Sequence, residues 1–408
     1  MQLPAPPEFS REILSVGVTG TNGKTTTTTF LAHALATLGT PVVRVTTVGF
    51  FLTTLSSDGA RDEPLDVPST HGGFLEAMQR AHARGGRHAA IEYTSEALAY
   101  GFARAWPVRI GVFTNLTHDH LDAHGTPEHY LASKAQLFMA LPSDGTAVLD
   151  GCDPASSLIA EVVTKGARIV RYGVKSRGEP EFPLDLRAEA ITLGWDGTRI
   201  ELASSEALGA VPKVLHVRAI GDVFAENALA ALAAAICAGV DARAAANAIE
   251  RATPPPGRFE VVAERPWVVV DYAHSPDALA RTLSAARALC EGRLTVVFGA
   301  GGKRDRDKRA PMGAAAAAAD RIVLTSDNPR DESPQDIADA IRAGIPGDRD
   351  VSVILDRAQA IARAITDAAP TDVVLIAGKG HETEQQIGAT KRPFSDVEVA
   401  RAAHAARR

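Results

Sequence analysis

The 408-residue sequence has few cysteines, no long apolar run and no excess of positive charge. Its three cysteines, Cys152, Cys237 and Cys290, are odd in number and lack CxxC spacing, which argues against a disulfide framework or a zinc ribbon. No apolar run reaches the roughly 18 residues of a membrane-spanning helix, and no basic, apolar leader opens the sequence. We therefore expect a cytoplasmic protein.

The net charge of −6 gives the chain no global basic field that would attract nucleic acid or an anionic membrane. Any anion must therefore be held by local groups. Hydrophobic residues make up 45% of the chain and charged residues 23%, which is a globular composition. The length exceeds what one hydrophobic core usually organises, so two domains are expected.

Short β-rich runs alternate with helix-length segments from residue 13 to about 172, and again after residue 266. This alternation predicts an α/β fold with a mainly parallel sheet and helices on both faces. Residues 181–218 alternate instead around an Asp196-Gly197 turn, which predicts an antiparallel flap of hairpins.

A run of three prolines, residues 254–256, stiffens the chain and marks a domain boundary. We predict a central P-loop ATPase domain over residues 1–258. A smaller, doubly wound, Rossmann-like domain is predicted over residues 259–408.

The first predicted strand leads into G-T-N-G-K-T, residues 20–25, and then into a run of threonines. Glycines let backbone N–H groups converge on an anion, while Lys24 can reach terminal phosphates and the Thr25 hydroxyl can bind Mg²⁺. The strict spacing fails because Val18 stands where the first glycine should be, and an ordinary glycine turn is the alternative. The predicted triphosphate site consists of Gly20, Thr21, Asn22, Gly23, Lys24, Thr25 and Thr26.

Acidic, histidine and lysine side chains follow the next strands. Glu92 ends a predicted strand and is either a magnesium ligand or a helix-capping acid. Residues 118–124 hold three histidines and two aspartates, which indicate ligand binding at a sheet edge or simply solvated loop histidines. Lys134 lies on a helix predicted to begin at Pro127, and a surface lysine is the alternative.

The order of these motifs resembles the Mur ligase family, most closely the MurE-type branch that joins the third amino acid to UDP-MurNAc-dipeptide. The resemblance extends over the chain from about residue 13. It implies ATP-dependent amide formation, in which an acid attacks the γ-phosphate and an amine then displaces phosphate from the acyl phosphate. The segments that carry it are GTNGKTT, IEYTSEAL, TNLTHDHLDAHGTPEHYLASK, GDVFAEN, PPGRFEVV, VVVDYAHSPDAL, FGAGGKRDRDKRAPMG, TSDNPRDESP and AGKGHETEQ.

The resemblance also implies residue roles. The catalytic residues would be Lys24, Glu92, His120 and Lys134. Thr25 and Glu92 would bind one Mg²⁺, while His120 and a carbamylated Lys134 would bind a second. Further nucleotide contacts would come from Asn227, Arg258, Asp271 and His274.

The DNPR and GKGHE segments match the amino-acid site of the diaminopimelate-adding enzymes. There Arg330 would contact the distal carboxylate, and Gly378 and Glu382 would hold the distal amino and carboxyl ends. An arginine beside a glutamate suits a zwitterionic group, although a surface salt bridge in a turn is the alternative. Other substrate contacts implied are Ser69, Thr70, Thr94, Ser95, Tyr100, Phe102, Arg304, Asp327 and Asn328.

The sequence departs from the branch on the acceptor side. About a dozen residues precede the first strand, so the N-terminal UDP-binding domain is expected to be absent. Glu96, Tyr100 and Phe102 stand where the branch has His, Gln and Arg, and Phe224 and Lys303 replace an Asn and an Asp. We therefore expect an acid acceptor other than UDP-MurNAc-dipeptide, and a partner protein could supply the missing function.

Three alternatives remain. A catalytically silent Mur-like module would bind nucleotide together with a partner. A P-loop switch or motor is disfavoured by the amino-acid pocket, and a folylpolyglutamate- or cyanophycin-type acceptor fits DNPR and GKGHE less well. The partners expected are small molecules, with no nucleic acid or membrane.

Overall fold

The computed structural model describes residues 3–117, 125–175, 178–303 and 305–407. His120 and Arg304, which were predicted to be site residues, lie outside the described residues. The described chain forms two compact units, one ending at Pro254 and the other beginning at Pro255. Within the described ranges, no helix combines the length and apolar character needed to cross a bilayer.

The first unit is built on one sheet, which has eleven strands in its described residues. In chain order they are β1 (Leu14–Thr19), β2 (Val42–Thr46), β3 (Gly49–Ser56), β4 (Gly59–Leu65), β5 (His88–Glu92), β6 (Ile110–Phe113), β7 (Thr146–Asp150), β8 (Arg168–Val174), β9 (Leu186–Gly194), β10 (Gly197–Ser204) and β11 (Val214–Val217). The central order β2-β5-β1-β6-β7-β8-β9 is parallel throughout. Antiparallel hairpins extend both edges, with β3 and β4 at one end and β10 and β11 at the other.

Helices cover this sheet: α1 (Lys24–Ala36), α2 (His71–Ala83), α3 (Ser95–Ala99), α4 (Phe102–Ala105), α5 (Pro127–Met139), α6 (Ala155–Val162), α7 (Asp222–Cys237) and α8 (Ala242–Arg251). A 3-10 turn, Glu8–Glu12, precedes β1. Helix α1 opens with five β-branched threonines, whose intrinsic helix preference is weak. Packing against α7 and α8 buries nearly all of α1, so tertiary contacts hold it helical.

The second unit has a six-stranded sheet and a separate hairpin within its described residues. The strands are β12 (Glu260–Ala263), β13 (Trp267–Asp271), β14 (Leu294–Phe298), β15 (Arg321–Leu324), β16 (Asp350–Val353), β17 (Val373–Ala377), β18 (Glu384–Ile387) and β19 (Thr390–Pro393). The helices are α9 (Pro276–Leu289), α10 (Arg309–Ala316), α11 (Pro334–Arg342), α12 (Arg357–Asp367) and α13 (Asp396–Ala406). The sheet order is β12-β13-β17-β14-β15-β16, parallel except for the edge pair β12 and β13.

The predicted α/β class and mainly parallel first sheet are confirmed. The hairpins predicted within 181–218 are antiparallel, as expected, but they do not form a separate flap. Strand β9 pairs in parallel with β8, so the hairpins extend the main sheet. Residues 49–65 form another hairpin, which the helix and strand alternation did not predict, although Asp58-Gly59 is a turn signal for it.

Candidate functional site

Three chain segments meet at the carboxyl edge of the first sheet. Strand β1 lies between β5 and β6, and all three are parallel. Glu92 at the end of β5, the glycine loop at residues 20–23 and residues 114–117 therefore leave the sheet side by side. This edge is where open α/β sheets bind their ligands.

The glycine loop requires glycine at two points. Gly23 has a φ of 83° and immediately precedes α1, and a Cβ there would collide with the Asn227 side chain. A Cβ at Gly20 would collide with the Thr114 hydroxyl. The loop thus leads into the N-terminus of a buried helix, and the first backbone N–H groups of a helix have no partner within the helix and suit an anion.

Residues 114–117 hold the glycine loop in place. The Asn115 carbonyl accepts the Thr21 N–H at 2.8 Å, and its side-chain oxygen accepts the Asn22 N–H at 2.9 Å. The Thr114 hydroxyl donates to the Asn22 carbonyl at 2.7 Å, and the Thr117 N–H donates to the Thr21 hydroxyl at 3.0 Å. Thr114 and Asn115 were not among the predicted site residues, although their position directly after a strand was a signal for such a role.

Glu92 and Thr25 form an oxygen pair beside this loop. The Thr25 hydroxyl donates to Glu92 Oε2 at 2.9 Å, and the Thr47 N–H donates to the same oxygen at 3.2 Å. Two hard oxygen donors of this kind fit Mg²⁺. The helix-capping alternative for Glu92 is wrong, because the Thr94 side chain caps α3 by accepting the Ala97 N–H.

Two ammonium groups also contact the loop. Lys24 Nζ donates to the carbonyls of Gly20 and Thr21 at 3.1 and 2.8 Å. Lys134 is only 1% exposed; its Nζ donates to the Gly20 carbonyl at 2.6 Å and lies 4.1 Å from the centre of the Tyr130 ring. The surface-lysine alternative for Lys134 is therefore wrong. Paired cations at a glycine loop suit a polyanion such as a triphosphate.

Thr26 and Asn227 lie under the same loop. Thr26 is buried in the first turn of α1, and the Asn227 side-chain oxygen accepts the Thr27 hydroxyl at 3.4 Å. The structure thus places Asn227 against the loop backbone, next to Gly23. Its contact with adenine stays a prediction.

The residues predicted to contact the acceptor have different surroundings. Ser69 is exposed, and the Thr70 hydroxyl caps α2 by accepting the Gly73 N–H at 3.2 Å. Ser95 is buried at the start of α3, whereas Tyr100 is 78% exposed. Their contacts with substrate stay predictions.

Phe102 packs into an aromatic cluster. Its ring meets Phe74 edge to face at 4.9 Å and Tyr93 at 5.4 Å. Both neighbours belong to the buried core of the first unit, and Phe102 is partly buried against it. Core packing therefore accounts for this phenylalanine without any ligand.

The nucleotide contacts predicted for the second unit surround Tyr272. The Arg258 guanidinium lies 4.4 Å above the Tyr272 ring, and His274 Nδ1 is 2.8 Å from the Tyr272 carbonyl. Asp271 is buried, and its carboxylate accepts the Phe259 N–H at 2.7 Å. Asp271 thus fixes the chain that follows Arg258, while its role toward a nucleotide stays a prediction.

The DNPR and GKGHE segments meet at the carboxyl edge of the second sheet, after β15 and β17. Asn328 Nδ2 donates to Glu382 Oε2 at 2.9 Å, which joins the two segments directly. A Cβ on Gly378, whose φ is 115°, would press on the Asp327 carboxylate. Glycine at this position therefore lets the DNPR and GKGHE segments approach each other closely. The Asp327 carboxylate also accepts the Asn328 N–H at 2.7 Å.

Arg330 is held by the loop after β14. Its φ is 52°, an unusual value for a residue other than glycine, and its Nη1 donates to the Gly302 carbonyl at 2.7 Å. Glu382 pairs with Lys379, at 2.7 Å, and not with Arg330. The alternative of a salt bridge between Arg330 and Glu382 is therefore wrong, while their contacts with a substrate stay predictions.

Two groups that support the DNPR and GKGHE segments were not predicted from the sequence. Lys379 is fully buried. Its place within the GKGHE segment was a sequence signal that it supports the amino-acid site. Arg357 and Asp396 form a fully buried ion pair at 2.7 Å, and Arg357 also donates to the carbonyls of Ser326 and Ala377 at the roots of both binding segments. Burial alone would lower the Arg357 pKa, but the charge of Asp396 and its hydrogen bonds raise it. No spacing pattern links positions 39 residues apart.

Family models match most of the described chain. The Mur ligase middle domain matches residues 18–235, and the Mur ligase glutamate ligase domain matches residues 257–380. The chain is 40% identical over 397 residues to a UDP-N-acetylmuramoyl-L-alanyl-D-glutamate–2,6-diaminopimelate ligase of Thermosynechococcus vestitus, covering 96% of this chain and 77% of that protein. It is also 40% identical, over 407 residues and with the same coverage, to the ligase of that name from Parasynechococcus marenigrum.

Solved structures of related enzymes have a similar fold. A structure of a UDP-N-acetylmuramoyl-L-alanyl-D-glutamate–2,6-diaminopimelate ligase matches with a TM-score of 0.65 and 31% identity, over 97% of this chain and 78% of that one. A folylpolyglutamate synthase of Mycobacterium tuberculosis has a TM-score of 0.69 at 20% identity, over 96% and 90% of the two chains, which shows the fold alone.

The fold and the glycine loop define a P-loop enzyme built from two α/β units. The chain belongs to the Mur ligase family, and it is an ATP-dependent ligase that forms amide bonds.

Proposed function

We propose that this ligase adds a diaminopimelate-like amino acid to a carboxylate acceptor through an acyl phosphate. The single observation that carries the choice of amine is the Asn328–Glu382 hydrogen bond, which joins the DNPR and GKGHE segments. It brings the Glu382 carboxylate to the DNPR segment, in which Arg330 follows Asn328 by two residues. An amino acid with a second zwitterionic end matches both charges.

In the first half-reaction the acceptor carboxylate attacks the γ-phosphate of ATP, the acyl phosphate forms and ADP leaves. The start of α1 and Lys24 bind the phosphates, because N–H groups and an ammonium offset the charge that develops there. Thr25 and Glu92 would hold Mg²⁺, which supplies further positive charge when bound. In the second half-reaction the amine attacks the acyl carbon, the C–N bond forms and phosphate leaves.

The identity of the acceptor is the less supported part. Glu96, Tyr100 and Phe102 replace the expected His, Gln and Arg and motivate a different acid. The relatives at 40% identity are named for UDP-N-acetylmuramoyl-L-alanyl-D-glutamate and give that hypothesis no support. Both acceptors therefore enter the test.

A second magnesium ion, a carbamate on Lys134, a partner protein and a cytoplasmic location all stay predictions. Of the ligands expected for the second ion, His120 lies outside the described residues, and Lys134 bonds to the Gly20 carbonyl. The predicted lack of an N-terminal domain is likewise untested. A silent, non-catalytic module is not favoured, because the chain is a Mur-type ligase.

The test is phosphate release by the purified chain with ATP and Mg²⁺, scanned over amino acids and acids, with mass spectrometry of the product. We expect release to require both an acid and 2,6-diaminopimelate, with L-lysine a poorer amine. UDP-N-acetylmuramoyl-L-alanyl-D-glutamate and simpler glutamyl acids form the two acceptor arms. Release that is independent of any amine, or equal with all amines, would contradict the proposal.

A further inference from the structure

Lys379 is a buried side chain of the GKGHE segment that contacts both Asn328 and Glu382 and has no assigned role. It is fully buried, and its ammonium donates to Glu382 Oε2 at 2.7 Å, to the Glu384 carbonyl at 2.6 Å and to Asn328 Oδ1 at 3.2 Å. Three acceptors match the three hydrogens of an ammonium group. The buried charge is therefore fully satisfied without solvent.

Lys379 and the Gln386 N–H together fix which way the Asn328 amide faces. Asn328 Oδ1 lies opposite two donors, Lys379 Nζ and the Gln386 N–H at 2.9 Å, so this atom must be the oxygen. The amide nitrogen is then turned toward Glu382, to which it gives one hydrogen. Its second hydrogen has no acceptor among the described residues and is available to a ligand.

Lys379 also fixes Glu382. The ammonium and the Asn328 amide both bind Oε2, and Oε1 accepts no hydrogen bond from the part of the chain described. The side chain is 32% exposed, so Oε1 can meet an incoming cation. Arg330 uses Nη1 for the Gly302 carbonyl, and its remaining N–H groups can meet an anion.

We infer that Lys379 is a positioning residue of the amino-acid pocket: its buried ammonium fixes Asn328 as a hydrogen-bond donor toward a carboxylate and Glu382 as an acceptor toward an ammonium. This inference rests on the proposed function. It adds a specificity determinant that contacts no substrate itself. Without Lys379 the Asn328 oxygen keeps only the Gln386 N–H as a donor, and Glu382 loses the charge that holds Oε2, so the pocket distinguishes donor from acceptor less sharply at that point.

The test compares Lys379→Met with Lys391→Met in the full-length enzyme. Lys391 forms an exposed pair with Glu384 on the nearby hairpin, so its loss controls for removing a lysine from this region. The loss of hydrogen bonds to charged groups costs about tenfold or more in affinity. For Lys379→Met we expect KM for 2,6-diaminopimelate to rise by about that factor, with KM for ATP unchanged and Lys391→Met like wild type.

The selective readout is the ratio of kcat/KM for 2,6-diaminopimelate to that for L-lysine, which lacks the distal carboxylate. Lys379→Met should lower this ratio, whereas a purely structural defect would reduce both amines equally. Asn328→Asp keeps the acceptor for Lys379 but removes the donor, so it should lower the ratio in a folded protein. The double variant should fall no further than the lower single variant.

The outcomes distinguish a failure of the proposed function from a failure of the role of Lys379. A wild-type enzyme that shows no preference for 2,6-diaminopimelate overturns the proposed function. A wild-type preference that survives in a folded Lys379→Met enzyme overturns the role of Lys379. If Lys379→Met does not fold, a preference retained by Asn328→Asp overturns it instead.

Discussion

At the scale of single residues, Glu92 offers the sharpest test of the nucleotide site. Glu92→Gln keeps the shape and can still accept hydrogen bonds from Thr25 and Thr47, but it removes the charge that favours Mg²⁺. We expect kcat to fall about 100-fold or more and the Mg²⁺ concentration for half-maximal activity to rise. Steady-state assays across a Mg²⁺ titration measure both.

Thermal unfolding of Glu92→Gln serves as the control for folding. An unchanged Mg²⁺ requirement in the folded variant would show that Glu92 does not bind the metal. Its role would then be to accept the hydrogen bond from the Thr47 N–H.

Lys134 permits a second test at this scale, because its two predicted states have opposite charge. A carbamate is an anion, whereas the unmodified lysine donates to the Gly20 carbonyl. Lys134→Ala should abolish turnover, and a short carboxylic acid added to the assay should restore part of it if the carbamate is the active form. Rescue by a short amine instead would assign the function to the cation, and Lys165→Met, an exposed lysine of the same unit, is the control.

At the scale of elements, Asp62 ties the hairpin β3–β4 to the rest of the first unit. Its carboxylate accepts from Arg44 on β2 at 2.9 Å and from Thr53 on β3 at 2.6 Å, and it lies 3.2 Å from His33 on α1. Burial would raise the Asp62 pKa, but the hydrogen bond with His33 and the charge of Arg44 lower it below the ordinary 3.8.

A depressed carboxyl pKa has a defined consequence for stability. The charge on Asp62 stabilises the folded state above the ordinary pKa, and this contribution is lost as pH falls through the depressed folded value. Asp62→Asn should cost roughly 1–3 kcal/mol at neutral pH and flatten the fall in the free energy of unfolding below about pH 4. Urea unfolding at several pH values measures this.

Asp58→Asn is the matched control on the same hairpin, because Asp58 pairs with Arg61 on the exposed surface. It should change the free energy of unfolding by less than about 1 kcal/mol. Equal effects of the two variants would mean that the partly buried Asp62 network adds nothing to stability.

The same elements show what sequence can predict and what it cannot. The parallel strands and the glycine loop were predictable because each is local: an apolar run bounded by turn residues, or G-T-N-G-K-T after a strand. The contacts of Asn115 with the loop were not, since they join residues 93 positions apart. Arg357 and Asp396 pair across 39 positions for the same reason, because burial in a common core leaves no mark in spacing.

At the scale of the whole chain, the glycine loop and the DNPR and GKGHE segments belong to different units, so phosphate binding and amino-acid binding should be separable by mutation. A ligand that binds only the folded state stabilises it by about 2.7 kcal/mol at a hundredfold excess over Kd, enough to raise the thermal midpoint by a few degrees. Mg²⁺-ATP should therefore stabilise the wild type and Arg330→Ala equally, because Arg330 is predicted to contact the amino acid and not the nucleotide. Lys24→Met should lose this stabilisation, because its ammonium lies at the glycine loop.

The same two variants should also differ in how their turnover depends on the amine. Arg330→Ala should lower kcat/KM for 2,6-diaminopimelate more than for L-lysine, because the guanidinium reads the carboxylate that only the first amine carries at its distal end. Lys24→Met should lower turnover with both amines to the same extent, since it acts before any amine is used. Scanning calorimetry and phosphate release on the same preparations check both halves, and an Arg330→Ala enzyme that loses both amines equally would place Arg330 outside the pocket that recognises the amino acid.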